Sequence, residues 1–234
     1  MPKSLKKSVL PKQQRNAEAT RKAILNAALI EFASEGVEGA RTDRIAKAAG
    51  VNKALLYYYF KDKTSLYGAA LDNVFETLFQ TVTAALDRPV SPRERLLGYV
   101  EAHFDFIAAT PVYPRLVMRE MMGSSHKPSE HLVRIFQRMA VPVYTKLMRT
   151  ITEGVEQGEL RPVSPQQTVP TLIGVIVFYF ASSAAQKLIA GFDPLSPEAI
   201  AMRRQSVIDF IRHGLLTDPG EGPRDTKNTQ GKQA

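Results

Sequence analysis

The stretch IAKAAGVNKALLYYYFKDK, residues 45–63, sets three consecutive tyrosines between lysines. Phenol hydroxyls and ammonium groups are donors and cations, the groups that hold phosphate oxygens. Consecutive residues on a helix point about 100° apart, so no single core buries all three rings. Leu56 and Phe60 lie one turn apart and are expected to face inward, which leaves Ala54, Leu55 and Tyr58 pointing most directly outward. Tyr57 and Tyr59 then project to the two sides, where a ring can pack on the helix shoulder while its hydroxyl donates to a phosphate. Lys53 opens this helix and Lys63 opens the next, adding charge at the same surface. The free N–H groups of helix N-termini favour phosphate as well. For Tyr58 the competing expectation is packing against the following helix.

Those side chains need a frame, and the neighbouring sequence supplies one. Thr42 to Ala49 reads as a short helix with Thr42 as its cap and Gly50 as its breaker, and Asn52 caps a helix over about 53–60. Two short helices joined by AAGVN follow the plan of a helix-turn-helix, with Ile45, Ala46, Ala49 and Val51 packing between them. Upstream, Ile24, Leu25, Ala28, Leu29 and Phe32 form the stripe of a helix over about 18–35 that stops at Gly36. Downstream, Leu66 to Val82 carry two apolar rows of a long helix starting near Lys63. Further helices are predicted near 93–109, 111–122, 129–157, 166–190 and 197–216, each joint holding a proline, with a kink at Pro142. No segment alternates like a strand, so the fold class is all-α. Residues 1–17 read as a flexible basic arm and 218–234 as a disordered tail.

Charge says where a polyanion would bind. Of the 31 Lys and Arg, 13 fall in residues 1–63 against 6 Asp and Glu, leaving 18 against 17 over the remainder. Nearly all of the net +8 therefore sits on the first quarter of the chain, as expected for contact with nucleic acid or an anionic surface. The absence of cysteine excludes disulfides and thiolate chemistry. His126 and His131 are five apart and do not share a helical face for a metal, so none is expected. No nucleophile elbow or Gly-rich phosphate loop is present, Glu153, Glu156 and Glu159 read as a solvated edge, and no enzyme activity or cofactor is expected. The basic N-terminus lacks the apolar run of a signal peptide. The apolar segment TLIGVIVFYFASSAAQKLIAGF is interrupted by Ser182, Ser183, Gln186 and Lys187, which favours a buried helix over a membrane span.

The segment TRKAILNAALIEFASEGVEGARTDRIAKAAGVNKALLYYYFKDKTSLYGAAL resembles the N-terminal domain of TetR-family transcriptional repressors, through the AAGV turn, the LYYYF helix and the lysine after it. The resemblance implies a helix-turn-helix DNA-binding domain over 18–63, a helical effector-binding and dimerisation domain over 64–217, and a cytoplasmic homodimer on a palindromic double-stranded DNA operator. By position, Lys53, Ala54 and Leu55 are implied as base readers, and Thr42, Tyr57, Tyr59 and Lys63 as phosphate contacts. Arg41 stands where the family often has a capping Ser or Thr, and Tyr59 where histidine is common.

The same resemblance implies a small-molecule effector pocket among helices four to eight. His103, Phe104, Met118, Arg119, Met122, Phe136 and Tyr144 are its candidate lining, with surface or core roles equally open for each. Val175, Phe178 and Tyr179, on a helix that is apolar almost all round, are expected at a two-fold dimer interface. The leading expectation is a ligand-responsive regulator, a repressor released by its effector. An architectural DNA-binding protein without an effector is the first alternative, and a helical enzyme with an incidental basic arm the second.

Overall fold

The computed structural model describes residues 12–121 and 130–218. Its first helix, α1 (Lys12–Gly39), begins well before the apolar stripe, because Lys, Gln, Arg and Ala are strong helix formers. Ile24, Leu25, Ala28, Leu29 and Phe32 are all buried. Gly36 leaves the helical region at φ 71°, ψ 177°, so the predicted stop is real and residues 37–39 are a short continuation. Residues 1–11, the tail beyond Asp218, Met122 and His126 lie outside the described residues.

Next come α2 (Thr42–Ala48), α3 (Lys53–Tyr59) and α4 (Lys63–Leu86). After them follow α5 (Pro92–Ala109), α6 (Tyr113–Met121), α7 (Glu130–Ile135), a π-helical turn (Phe136–Ala140), α8 (Val141–Glu156), α9 (Pro165–Ala181), α10 (Ser183–Ala190) and α11 (Pro197–Leu215). Among the described residues there is no strand, only an isolated antiparallel bridge between Leu160 and Leu216. The fold is all-helical.

The chain divides into two compact units, one from α1 to Phe75 with Arg115–Leu132, the other of Glu76–Pro114 with residues from Val133 onward. In the first, α1 and α4 share an apolar core in which Phe32 meets Tyr67 edge-on at 4.9 Å. Residues distant in sequence close this unit. Arg119 Nη2 donates to Ser34 O at 2.9 Å, completing the carbonyls that α1 strands where it breaks at Gly36. The Tyr67 hydroxyl donates to the Glu120 carboxylate, and burial together with that carboxylate raises the phenol well above its ordinary value. His131 Nε2 lies 3.1 Å from Gly68 O and 3.5 Å from the Asp72 carboxylate.

In the second unit α5 packs among α8, α9 and α11. Ser91 and Glu94 form a capping box at its start, and Leu96, Tyr99, Val100, His103, Phe104 and Ile107 are buried along it. Phe104 meets Phe180 of α9 edge-on at 5.3 Å. Arg204 of α11 grips Asp105 through two bonds of 2.7 and 3.0 Å.

Two expectations change here. The helix expected over 129–157 is interrupted by a π-helical turn just before Pro142, where the Val141 N–H reaches back to Phe136 O. Proline has no N–H to offer the previous turn, and one extra residue absorbs the mismatch. The predicted helix over 166–190 is two helices bent by 65° at Ser182. The Ser182 hydroxyl donates to Phe178 O, and the Gln186 amide donates to the Tyr179 carbonyl at 2.8 Å, so side chains satisfy the groups that the break exposes. Among the described residues no single helix is long and apolar enough to cross a membrane, although this bent pair passes that test by composition.

Candidate nucleic-acid interface

The geometry begins at the turn between α2 and α3. Gly50 sits at φ +69°, the left-handed conformation that glycine adopts without strain, and the Val51 N–H returns to Ala46 O at 3.0 Å. Asn52 caps α3, its side-chain oxygen accepting from the Leu55 N–H at 2.8 Å. Ile45, Ala46, Leu56 and Phe60 are buried, so the inner face of α3 is the one its sequence spacing implies. Lys53, Ala54, Leu55, Tyr57 and Tyr58 are exposed, Tyr58 by 81%, and Tyr59 is half-buried. The Tyr58 and Tyr59 rings meet edge-on at 5.4 Å, and the Arg21 guanidinium lies 5.5 Å from the Phe60 ring centroid.

Thr42 does not cap α2. Arg41 occupies that position with extended backbone and no side-chain cap bond. The Arg41 N–H is taken by the Glu31 carboxylate at 3.0 Å. Arg41 and Thr42 lie at the opening of the chain into α2, and the Thr42 hydroxyl is turned to the Tyr57 hydroxyl, 3.3 Å away. That contact fixes both groups at one edge of α3.

The two lysines that open α3 and α4 each have an internal partner. The Lys63 ammonium donates to Glu38 O at 2.9 Å and Ala40 O at 3.5 Å, a cation at the C-terminal end of α1. Lys53 pairs with Asp43, on the first turn of α2, at 2.7 Å, and the hydrogen bond to that carboxylate raises the ammonium above its ordinary value. Sequence reasoning passed over Asp43 and Glu31. Asp43 is visible in the sequence only as an acid at a helix start; its partner lies ten residues on, across the turn.

The candidate effector residues that the structure describes fall in both units. Met118 and Arg119 belong to the first unit and His103, Phe104, Phe136 and Tyr144 to the second. His103 is 6% exposed, with its Nδ1 3.1 Å from the Tyr99 hydroxyl, and burial pulls its pKa down to about 4. Tyr144 is exposed. A separate open groove of about 460 Å³ runs between the second half of α4 and α8, lined among the described residues by Phe79, Gln80, Met139, Val143 and Lys146.

On α9, Val175 and Tyr179 are half-buried and Phe178 is 70% exposed. The Tyr179 hydroxyl donates to Pro194 O at 2.8 Å and its ring lies under the Arg203 guanidinium at 5.1 Å. Further apolar side chains stand in the open on the last helices, among them Leu188, Ile189, Met202 and Phe210.

A glycine-turned helix pair with a buried inner face and a donor-rich outer face defines a helix-turn-helix DNA-binding protein. A family model described as bacterial regulatory proteins, tetR family, matches residues 24–70, and one for the tetracyclin repressor-like C-terminal domain matches residues 92–211. The HTH-type transcriptional repressor SCO4008 of Streptomyces coelicolor is 32% identical over 165 residues, 70% of this chain and 77% of that protein. The HTH-type transcriptional regulator RutR of Escherichia coli is 28% identical over 158 residues, 68% and 72% of the two chains. The solved ketosteroid transcriptional regulator KstR2 of Mycobacterium tuberculosis shares the fold, with a TM-score of 0.67 at 19% identity over 85% of this chain and 95% of that one. The chain belongs to the tetR family of bacterial regulatory proteins and is a DNA-binding transcriptional regulator.

Proposed function

We propose that α3 lies in the major groove of a palindromic operator, with Lys53, Ala54 and Leu55 toward base edges and Thr42, Tyr57, Tyr59 and Lys63 toward phosphates. The observation that carries this reading is the outer face of α3, where Lys53, Ala54, Leu55, Tyr57 and Tyr58 are exposed while Leu56 and Phe60 anchor the opposite face. The DNA-binding part is residues 18–63, and residues 64–217 take an effector and a second copy. Repression is favoured by the relation to SCO4008, itself a repressor. Such a protein works in the cytoplasm, beside the chromosome, and has no catalytic role.

The homodimer forms through the last helices, with Val175, Phe178 and Tyr179 at the interface. Supporting this is the apolar surface that one chain leaves open there, which includes Phe178, Met202 and Phe210. The effector is a small molecule held in the second part of the chain. By linkage, an effector that weakens operator binding must itself be bound less tightly in the presence of operator DNA.

Selection of bound duplexes from a random DNA pool tests the DNA reading. The expected product is a palindrome with half-sites about 34–36 Å apart, one helical turn or a multiple. Tight binding without any sequence preference at moderate salt would replace the operator reading with the architectural one. For assembly, Phe178→Arg should convert a dimer to monomer in sedimentation at micromolar protein, and a wild-type monomer there would refute the interface.

A further inference from the structure

We propose that Asp43 is a specificity-determining residue, whose carboxylate holds the Lys53 ammonium at the start of α3 so that the pair reads a base edge instead of gripping any phosphate. The inference rests on the placement of α3 in the major groove. Lys53 and Asp43 are 2.7 Å apart, and both side chains are open to solvent, 54% and 72% exposed. Nothing buries this pair, so DNA can reach it.

A lysine on a free four-carbon stem is a mobile point charge that suits every phosphate equally. Tied to Asp43, it is restrained in position and its charge is locally balanced. An ammonium has three N–H donors. One is spent on Asp43, and two remain for acceptors such as O6 and N7 of a guanine, which only base edges present in that arrangement. The carboxylate also repels phosphates, so a misplaced α3 loses the attraction that a lone Lys53 would give. Asp43 sits in the first turn of α2, where an acid suits the helix dipole. The other donors on this surface are likewise preset, Thr42 against Tyr57 and Lys63 against the end of α1.

The test uses the full chain and two probes, a duplex selected by the wild type from a random pool and a random-sequence duplex of equal length, over a salt series. Asp43→Asn should bind the random duplex about fivefold tighter, the upper range for releasing an exposed ion pair, while the selected duplex changes by less than about twofold. The salt slope on random DNA should steepen by about one, for one more cation at phosphate. Asp43→Glu, which keeps the charge, should retain most of the wild-type ratio, and in a Lys53→Ala background Asp43→Asn should leave the ratio alone. An equal change on both duplexes, no change on either, or the same ratio change without Lys53 overturns the proposal. If Lys53→Ala leaves the selected duplex bound as tightly as before, the placement of α3 fails first, a separate result. A thermal melt of each variant confirms that it is folded.

Discussion

His103 lies 6% exposed inside the second unit, against Tyr99, and there it cannot easily carry a charge. Its pKa falls from 6.5 to about 4 on burial. Below about pH 6.5 the unfolded chain takes up a proton that the folded chain refuses, so the contribution is complete above that pH and is lost as the pH falls toward 4. The full difference corresponds to about 3 kcal/mol, and about 2 kcal/mol of it is gone at pH 5. For a chain of this size that lowers the melting temperature by roughly 4–8 °C. Carboxylates elsewhere also titrate in this range, so the measurement is a difference of differences. Urea unfolding followed by far-UV circular dichroism, at about pH 7.5 and about pH 5, is compared for wild type and His103→Phe. The variant should be weaker at both pH values, because the Tyr99 hydroxyl loses its partner. Its loss between the two should nonetheless be smaller than the wild type's by about 2 kcal/mol. Equal losses would show that His103 is free to ionise in the folded chain and would refute the buried, neutral assignment.

Asn52→Ala removes the cap on α3 and should cost about 1 kcal/mol, read as weaker operator binding and faster amide exchange in α3; unchanged exchange would show the cap to be idle. Gly36→Ala forces a side chain into φ +71°, with its Cβ 2.5 Å from Arg119 Nη1, and should cost about 1–3 kcal/mol in thermal stability. An unaltered melt would mean that the end of α1 refolds at no cost.

Much of the helix-turn-helix was legible because its causes are local. Gly36 and Gly50 interrupt helices where only a short stretch of backbone decides, Asn52 caps three residues ahead, and Leu56 and Phe60 share a face by helical spacing alone. The same arithmetic made the long α4 readable from its two apolar rows. Where competing partners existed, local reasoning missed. Thr42 looks like a cap by residue type, yet its hydroxyl is taken up with Tyr57, fifteen positions on. The apolar run through 166–190 carries no breaker as strong as glycine or proline at Ser182, and the 65° bend there is supported by side-chain bonds from Ser182 and Gln186 that periodicity does not encode.

The sequence by itself determined the helical class, the basic first quarter and the outward face of α3, since composition and helical spacing act over a few residues. Tertiary structure alone decided which charges meet. It brought Asp43 to Lys53, the carbonyls ending α1 to Lys63, and Arg119 to Ser34 across 85 positions of chain. It also withdrew His103 from solvent and left Phe178 exposed, although Phe178 stands on the more apolar of the two helices. Burial and pairing depend on what another part of the chain places within a few ångströms, and no local pattern contains that distance.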